Sequence, residues 1–169
     1  MTEQLTLPLT HVDAVDEETT PHSNSEDQST IEKALAILSE RHSRGETLSS
    51  PDITKQFLRL KLGESYHEVF GCIFLDNRHR IISIEDLFFG TIDGASVHPR
   101  VIVQKALFCN AAAAVLYHNH PSGVAEPSPA DRAITRRIQD ALALVDVRVL
   151  DHLVVTAGAC ESFAERGLL

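Results

Sequence analysis

Apolar residues keep a helical spacing early in this chain and lose it at Val69. From residue 30 to 42, Ile31, Ala34, Leu35 and Leu38 fall on one stripe, which predicts an amphipathic helix. Ser50-Pro51 opens a second helix, with Ile53, Phe57 and Leu60 on its apolar side. Val69–Leu75 is then a continuous apolar run, suited to a strand buried on both faces. Asp76-Asn77-Arg78 is a turn, and Arg80–Glu85 returns as a second strand. Gly90–Gly94 reads as a loop. His98-Pro99-Arg100 opens a mostly apolar helix to about Asn110. Ala113–Tyr117 is a short buried strand. A further helix runs from Pro129 to about Ala143, burying Ile134, Ile138, Ala141 and Leu142 and turning Arg132, Arg136 and Arg137 outward. Val147–Leu150 and Leu153–Thr156 read as two closing strands around Asp151-His152. Strands and helices alternate only in part, so the fold class is α/β (α+β), a mixed sheet flanked by helices.

Charge divides the chain differently. The net charge is −9, and residues 1–30 carry seven acidic residues with no Lys or Arg, leaving −2 for the rest. This Ser/Thr-rich acidic stretch is expected to be a disordered tail over residues 1–29. Residues 30–63 form a short helical segment, at about 35 residues too small to stand as a confident independent domain. Residues 64–169 hold the main domain. That body is nearly neutral and does not advertise a nucleic-acid partner. Cys72, Cys109 and Cys160 are far apart with no Cys-x-x-Cys, which fits a reducing compartment. Cys72 and Cys109 sit in apolar runs and read as core filler. No apolar run reaches the roughly 18 residues of a membrane span, and no secretory leader is visible. The expectation is a soluble cytoplasmic protein.

The candidate chemistry lies in His118-Asn119-His120-Pro121-Ser122-Gly123 and, eleven residues after His120, Asp131. Imidazole and carboxylate are ordinary zinc ligands, and three of them leave one coordination position for water, a catalytic arrangement. Residues i and i+2 point the same way only in an extended segment, and Pro121 keeps His120 extended. Ser128 is placed as a helix N-cap with Pro129 at the first position, so Asp131 lies in the first turn, where the helix dipole favours its ionised form. The pair alone is weak, since nine histidines make a chance His-x-His expected in roughly every second such chain. Ser128-x-x-Asp131 is also a good capping pattern with no metal at all. The conjunction of strand end, turn and helix start is what carries weight. For a general base, the residues alone leave Glu64, Glu68, Glu85, Asp86 and Glu126 all open.

These residues resemble the JAB/MPN (JAMM) metalloprotease signature, and more closely the RadC family within it. The similarity extends to Gly90-Thr91-Ile92, His98-Pro99-Arg100, Pro127–Asp131 and Asp151-His152-Leu153, and covers about residues 64–169. The resemblance implies a curved mixed sheet flanked by helices, similar to the cytidine-deaminase architecture. It implies Zn2+ as cofactor, His118, His120 and Asp131 as metal ligands, Glu68 as general base, and Ser128 as a hydroxyl supporting the oxyanion or the bound water. The implied activity is cleavage of an amide or isopeptide bond in a protein or peptide substrate. Longer members of the family carry an N-terminal helix-hairpin-helix region. This chain shows no Gly-rich hairpin signature and is expected to be a short form.

Two rival readings follow. One is a DNA-repair or recombination accessory protein, with Arg132, Arg136 and Arg137 facing phosphates, although a nucleic-acid-binding domain usually shows a broader basic patch. The other is a zinc-binding scaffold without peptidase activity. A closed structural site usually has four protein ligands, for which His98 or His152 would be the fourth. Each of these reads first as a hydrogen-bonded loop or core histidine.

Overall fold

The computed structural model describes residues 25–41, 45, 47–48, 50–90 and 96–169. Its elements are α1 (Ser25–Arg41), α2 (Pro51–Leu62), β1 (Val69–Leu75), β2 (Ile81–Phe89), α3 (Pro99–Phe108), β3 (Ala113–Asn119), α4 (Pro129–Ala143), β4 (Arg148–Val155) and β5 (Cys160–Ser162). The strands form one sheet in the order β2-β1-β3-β4-β5. Only β3 and β4 run parallel, with α4 as the crossover between them; the other neighbours are antiparallel. The class is therefore α+β with a mixed open sheet. The loop expected at Gly90–Gly94 lies largely outside the described residues, as does most of the expected acidic tail.

β1 and β3 are buried along their whole length, which explains their unbroken apolar runs. Successive side chains alternate between the two faces. Val69, Ile73, Val115 and Tyr117 join Phe57, Leu58 and Leu62 of α2 in one core. Phe70, Cys72, Phe74, Ala114 and Leu116 join Ile102 and Ala106 of α3 and Ile138 and Leu142 of α4 in the other. The sheet is thus the middle of three layers, and α2 packs on the main sheet.

Three expectations are corrected. α1 begins at Ser25, so residues 25–29 of the expected tail are helical; Glu26 and Asp27 fill its first turn, where the helix dipole favours them. The buried side of α2 is Thr54, Phe57, Leu58 and Leu62, and Leu60 is exposed. The two closing strands are one strand, β4, which runs straight through Asp151-His152. Those polar residues stay in the sheet because their groups are satisfied. The Asp151 carboxylate accepts from the His152 and Ala164 amides and the Ser162 hydroxyl at 2.6–2.9 Å.

Gly71 shows how closely β1 and β3 approach. A Cβ there would lie 2.3 Å from Tyr117 Cζ and 2.5 Å from the Glu85 carbonyl oxygen. Tyr117 cannot yield, because its ring is fully buried and its hydroxyl donates to Asp86 Oδ1 at 2.7 Å. Lys61 pairs with the same carboxylate and lies over the ring. Gly71→Ala is expected to cost about 3 kcal/mol through overpacking. The measurement is a urea melt, with a lowered midpoint at unchanged slope.

Candidate metal centre

The C-terminal end of β3, the turn after it and the start of α4 build the centre. β3 extends two residues beyond the expected strand, and the ladder continues through the His120 amide, which donates to the Val155 carbonyl at 2.9 Å. His118 and His120 therefore leave the sheet on the α3/α4 side. Pro121-Ser122-Gly123 reverses the chain, with Gly123 at a φ of 80°, a region that favours glycine. α4 then starts on a full capping box. Ser128 Oγ accepts from the Asp131 amide at 3.1 Å, and Asp131 Oδ2 accepts from the Ser128 amide at 2.7 Å.

These three segments bring His118, His120 and Asp131 to a common point. His118 Nε2 lies 2.9 Å from His120 Nε2 and 3.3 Å from Asp131 Oδ1, and His120 Nε2 lies 3.4 Å from Asp131 Oδ2. Donors about 2.0–2.1 Å from a tetrahedral ion stand about 3.3 Å from one another, so the spacing fits a first-row metal. His118 is the buried member of the cluster and the other two are partly exposed: the His118 side chain is 1% exposed, that of Asp131 14% and that of His120 17%.

Hydrogen bonds fix which imidazole nitrogens carry lone pairs. His120 Nδ1 donates to the Val124 carbonyl at 2.7 Å, so its Nε2 is the acceptor. The His118 tautomer is set from Thr135 through His152. The Thr135 hydroxyl donates its one proton to the Asp131 carbonyl at 2.5 Å. It must therefore accept from His152 Nδ1 at 2.6 Å. His152 Nε2 then accepts from His118 Nδ1 at 2.8 Å, and His118 Nε2 is left with a lone pair. Burial holds His152 well below the ordinary imidazole value, consistent with this neutral form. The result is three acceptors converging with no donor among them. With both imidazoles neutral, a shared proton or a metal ion would satisfy such a point.

The electrostatics agree. Burial alone would raise the Asp131 pKa, but once the imidazoles beside it carry a proton, His118 and His120, with the Ser128 side chain, hold it far below the usual carboxylate range. The bond to Asp131 raises His120, and the charge of Glu68 adds to that effect. Glu68 itself is half-buried, one residue before β1. The register sets Phe70 opposite His118, so Glu68, two residues earlier, continues toward His120 on the same face. Ser128 is half-buried at the N-terminus of α4.

His152 is not a fourth ligand, since both its nitrogens are engaged below His118. His98 stands at the N-cap position of α3 without a side-chain capping bond and packs edge-on against Phe88. Arg136 and Arg137 are exposed as expected, whereas Arg132 is half-buried. The residues that sequence reasoning missed are Thr135 and the orienting role of His152. The only signal for either was the Asp151-His152 pair. His152→Phe keeps the volume but leaves His118 Nδ1 without an acceptor. It is expected to weaken zinc binding about 10–100-fold, read by competition with a chromophoric chelator.

A three-layer domain whose sheet end brings together two imidazoles and a carboxylate that could hold a metal has the architecture of a JAB domain. The model of the RadC-like JAB domain matches residues 48–168. The chain belongs to that family. Among curated relatives it is similar to UPF0758 proteins of Thioalkalivibrio sulfidiphilus (62% identical over 84% of this chain), Nitrosococcus oceani (56% over 84%) and Vibrio cholerae (55% over 82%). The aligned region spans 63% of each of the first two relatives and 88% of the third. No helix among the described residues is long and apolar enough to cross a membrane.

Proposed function

We propose that this chain is a zinc-dependent hydrolase of the JAMM type that cleaves an amide or isopeptide bond in a protein or peptide substrate. The observation that carries the reading is the convergence of His118 Nε2, His120 Nε2 and the Asp131 carboxylate, with both imidazole tautomers fixed as acceptors. A zinc ion held there by His118, His120 and Asp131 would supply Lewis-acid chemistry for water activation and carbonyl polarisation. The protein's own groups do the rest. Glu68 takes a proton from the attacking water onto its carboxylate and delivers it to the leaving nitrogen. Ser128 Oγ accepts from the Asp131 amide, which fixes the hydroxyl beside the site, and we assign its proton to the developing oxyanion.

The test uses the full chain, zinc and a quenched fluorescent peptide library. Cleavage that stops with chelation and returns with added zinc supports the reading; cleavage that survives chelation overturns it. Acidity gives a further expectation. Protons compete with the metal for the same lone pairs. Because His120 is raised above the ordinary 6.5, its protonated form is favoured in the metal-free protein at pH values below its raised pKa. Zinc affinity should therefore begin to fall somewhat above pH 6.5 and keep falling below it. Asp131, held ionised, adds nothing to this dependence.

A further inference from the structure

We propose that Asn119 is a positioning residue for Glu68, acting from the opposite face of the sheet. This rests on the reading of Glu68 as the general base. Asn119 stands between the two metal-site histidines, so alternation sends its side chain away from them, to the face that holds Val115 and Tyr117. It is 1% exposed. Its Oδ1 accepts from the Val69 amide at 2.7 Å. Its Nδ2 donates to the His67 carbonyl at 3.0 Å, with the Ser65 carbonyl at 3.5 Å. The two backbone groups that it grips flank Glu68 directly.

The register shows why a side chain is needed there. The β1–β3 ladder ends at Phe70 opposite His118. Beyond that pair the chain stays paired with β2 at Val69 but no longer with β3, and the Asn119 carboxamide takes the place of the missing β3 rung. On its other side Glu68 is held as well, since its carbonyl accepts from the Gly90 amide at 2.8 Å. An apolar residue at 119 would fit the core face but leave the buried Val69 amide and the His67 carbonyl without their partner. A carboxamide is suited to the task because it offers an acceptor and a donor in one plane. One dipeptide, Asn119-His120, thus ties Glu68 to the metal-site residues: the backbone carries His120 to one face while the Asn side chain anchors Glu68's backbone from the other.

The test is a cycle of Asn119→Ala, Glu68→Gln and the double variant in the zinc-loaded chain. Asn119→Ser serves as a milder second variant should the alanine variant not fold. Two readouts are taken: amide hydrogen exchange, with zinc stoichiometry as control, and cleavage of the quenched peptide library. Asn119→Ala is expected to speed exchange at Val69 at least tenfold, retain one zinc, and lower kcat about 10–100-fold with little change in KM. In the Glu68→Gln background it is expected to cost nothing more, because both variants remove the same contribution. Unchanged Val69 exchange, or additive losses in the double variant, would overturn the positioning role. Full activity in Glu68→Gln with faster Val69 exchange in Asn119→Ala would instead overturn Glu68 as the base while leaving the anchor intact.

Discussion

Glu68→Gln should leave the chain folded and holding one zinc, yet slow peptide cleavage by about 10²–10⁴-fold, the usual contribution of a positioned general base. The amide is isosteric with the carboxylate and keeps the backbone bond from the Gly90 amide, so nothing in the segment need move. What disappears is the basic oxygen. The effect belongs in kcat rather than KM, since the proton moves only in the transition state. Measuring kcat and zinc content on the same preparation separates this from a loss of metal. A variant with full turnover would remove Glu68 from the mechanism.

His118→Ala should act on the metal instead. His118 supplies one of three converging acceptors and is the most buried of them. With two ligands left, the site should retain far less than one equivalent of zinc after desalting, read by elemental analysis. Stability should fall too, because His152 Nε2 is left buried without its partner, at a cost of about 1–3 kcal/mol. Zinc stoichiometry equal to that of the unmodified chain would place the ion elsewhere.

The two results differ in how far they were legible beforehand. His118, His120 and Asp131 lie within fourteen residues, and their convergence follows from local rules: an extended i, i+2 pair, a Pro-Ser-Gly reversal and a helix N-cap. Each rule held in the structure, including the capping box that a metal-free reading had also predicted. Capping leaves the carboxylate placed for ligation, since its Oδ2 accepts from the Ser128 amide while both oxygens face the imidazoles.

Glu68 was not legible from the residues, because its position depends on the β1–β3 register across fifty residues of chain. Only the family resemblance singled it out. His152 was hidden for the same kind of reason. It lies 34 residues from His118, and its role depends on the parallel pairing of β3 with β4. Its polarity also misled the strand assignment, since a polar pair inside an apolar run reads as a break when its hydrogen-bond partners are unseen. The phase error on α2 has a different origin. Ile53, Phe57 and Leu60 share a helical stripe, but the sheet face of β1 and β3 meets the helix one residue further round, through Leu58 and Leu62.

The proposed hydrolysis requires an ion held by two imidazoles and a carboxylate at the end of β3. The most direct measurement is anomalous diffraction at the zinc edge from crystals of the zinc-loaded chain. The account predicts one peak about 2.0–2.2 Å from His118 Nε2, His120 Nε2 and an Asp131 oxygen. A peak elsewhere, or none at full zinc loading, would contradict it.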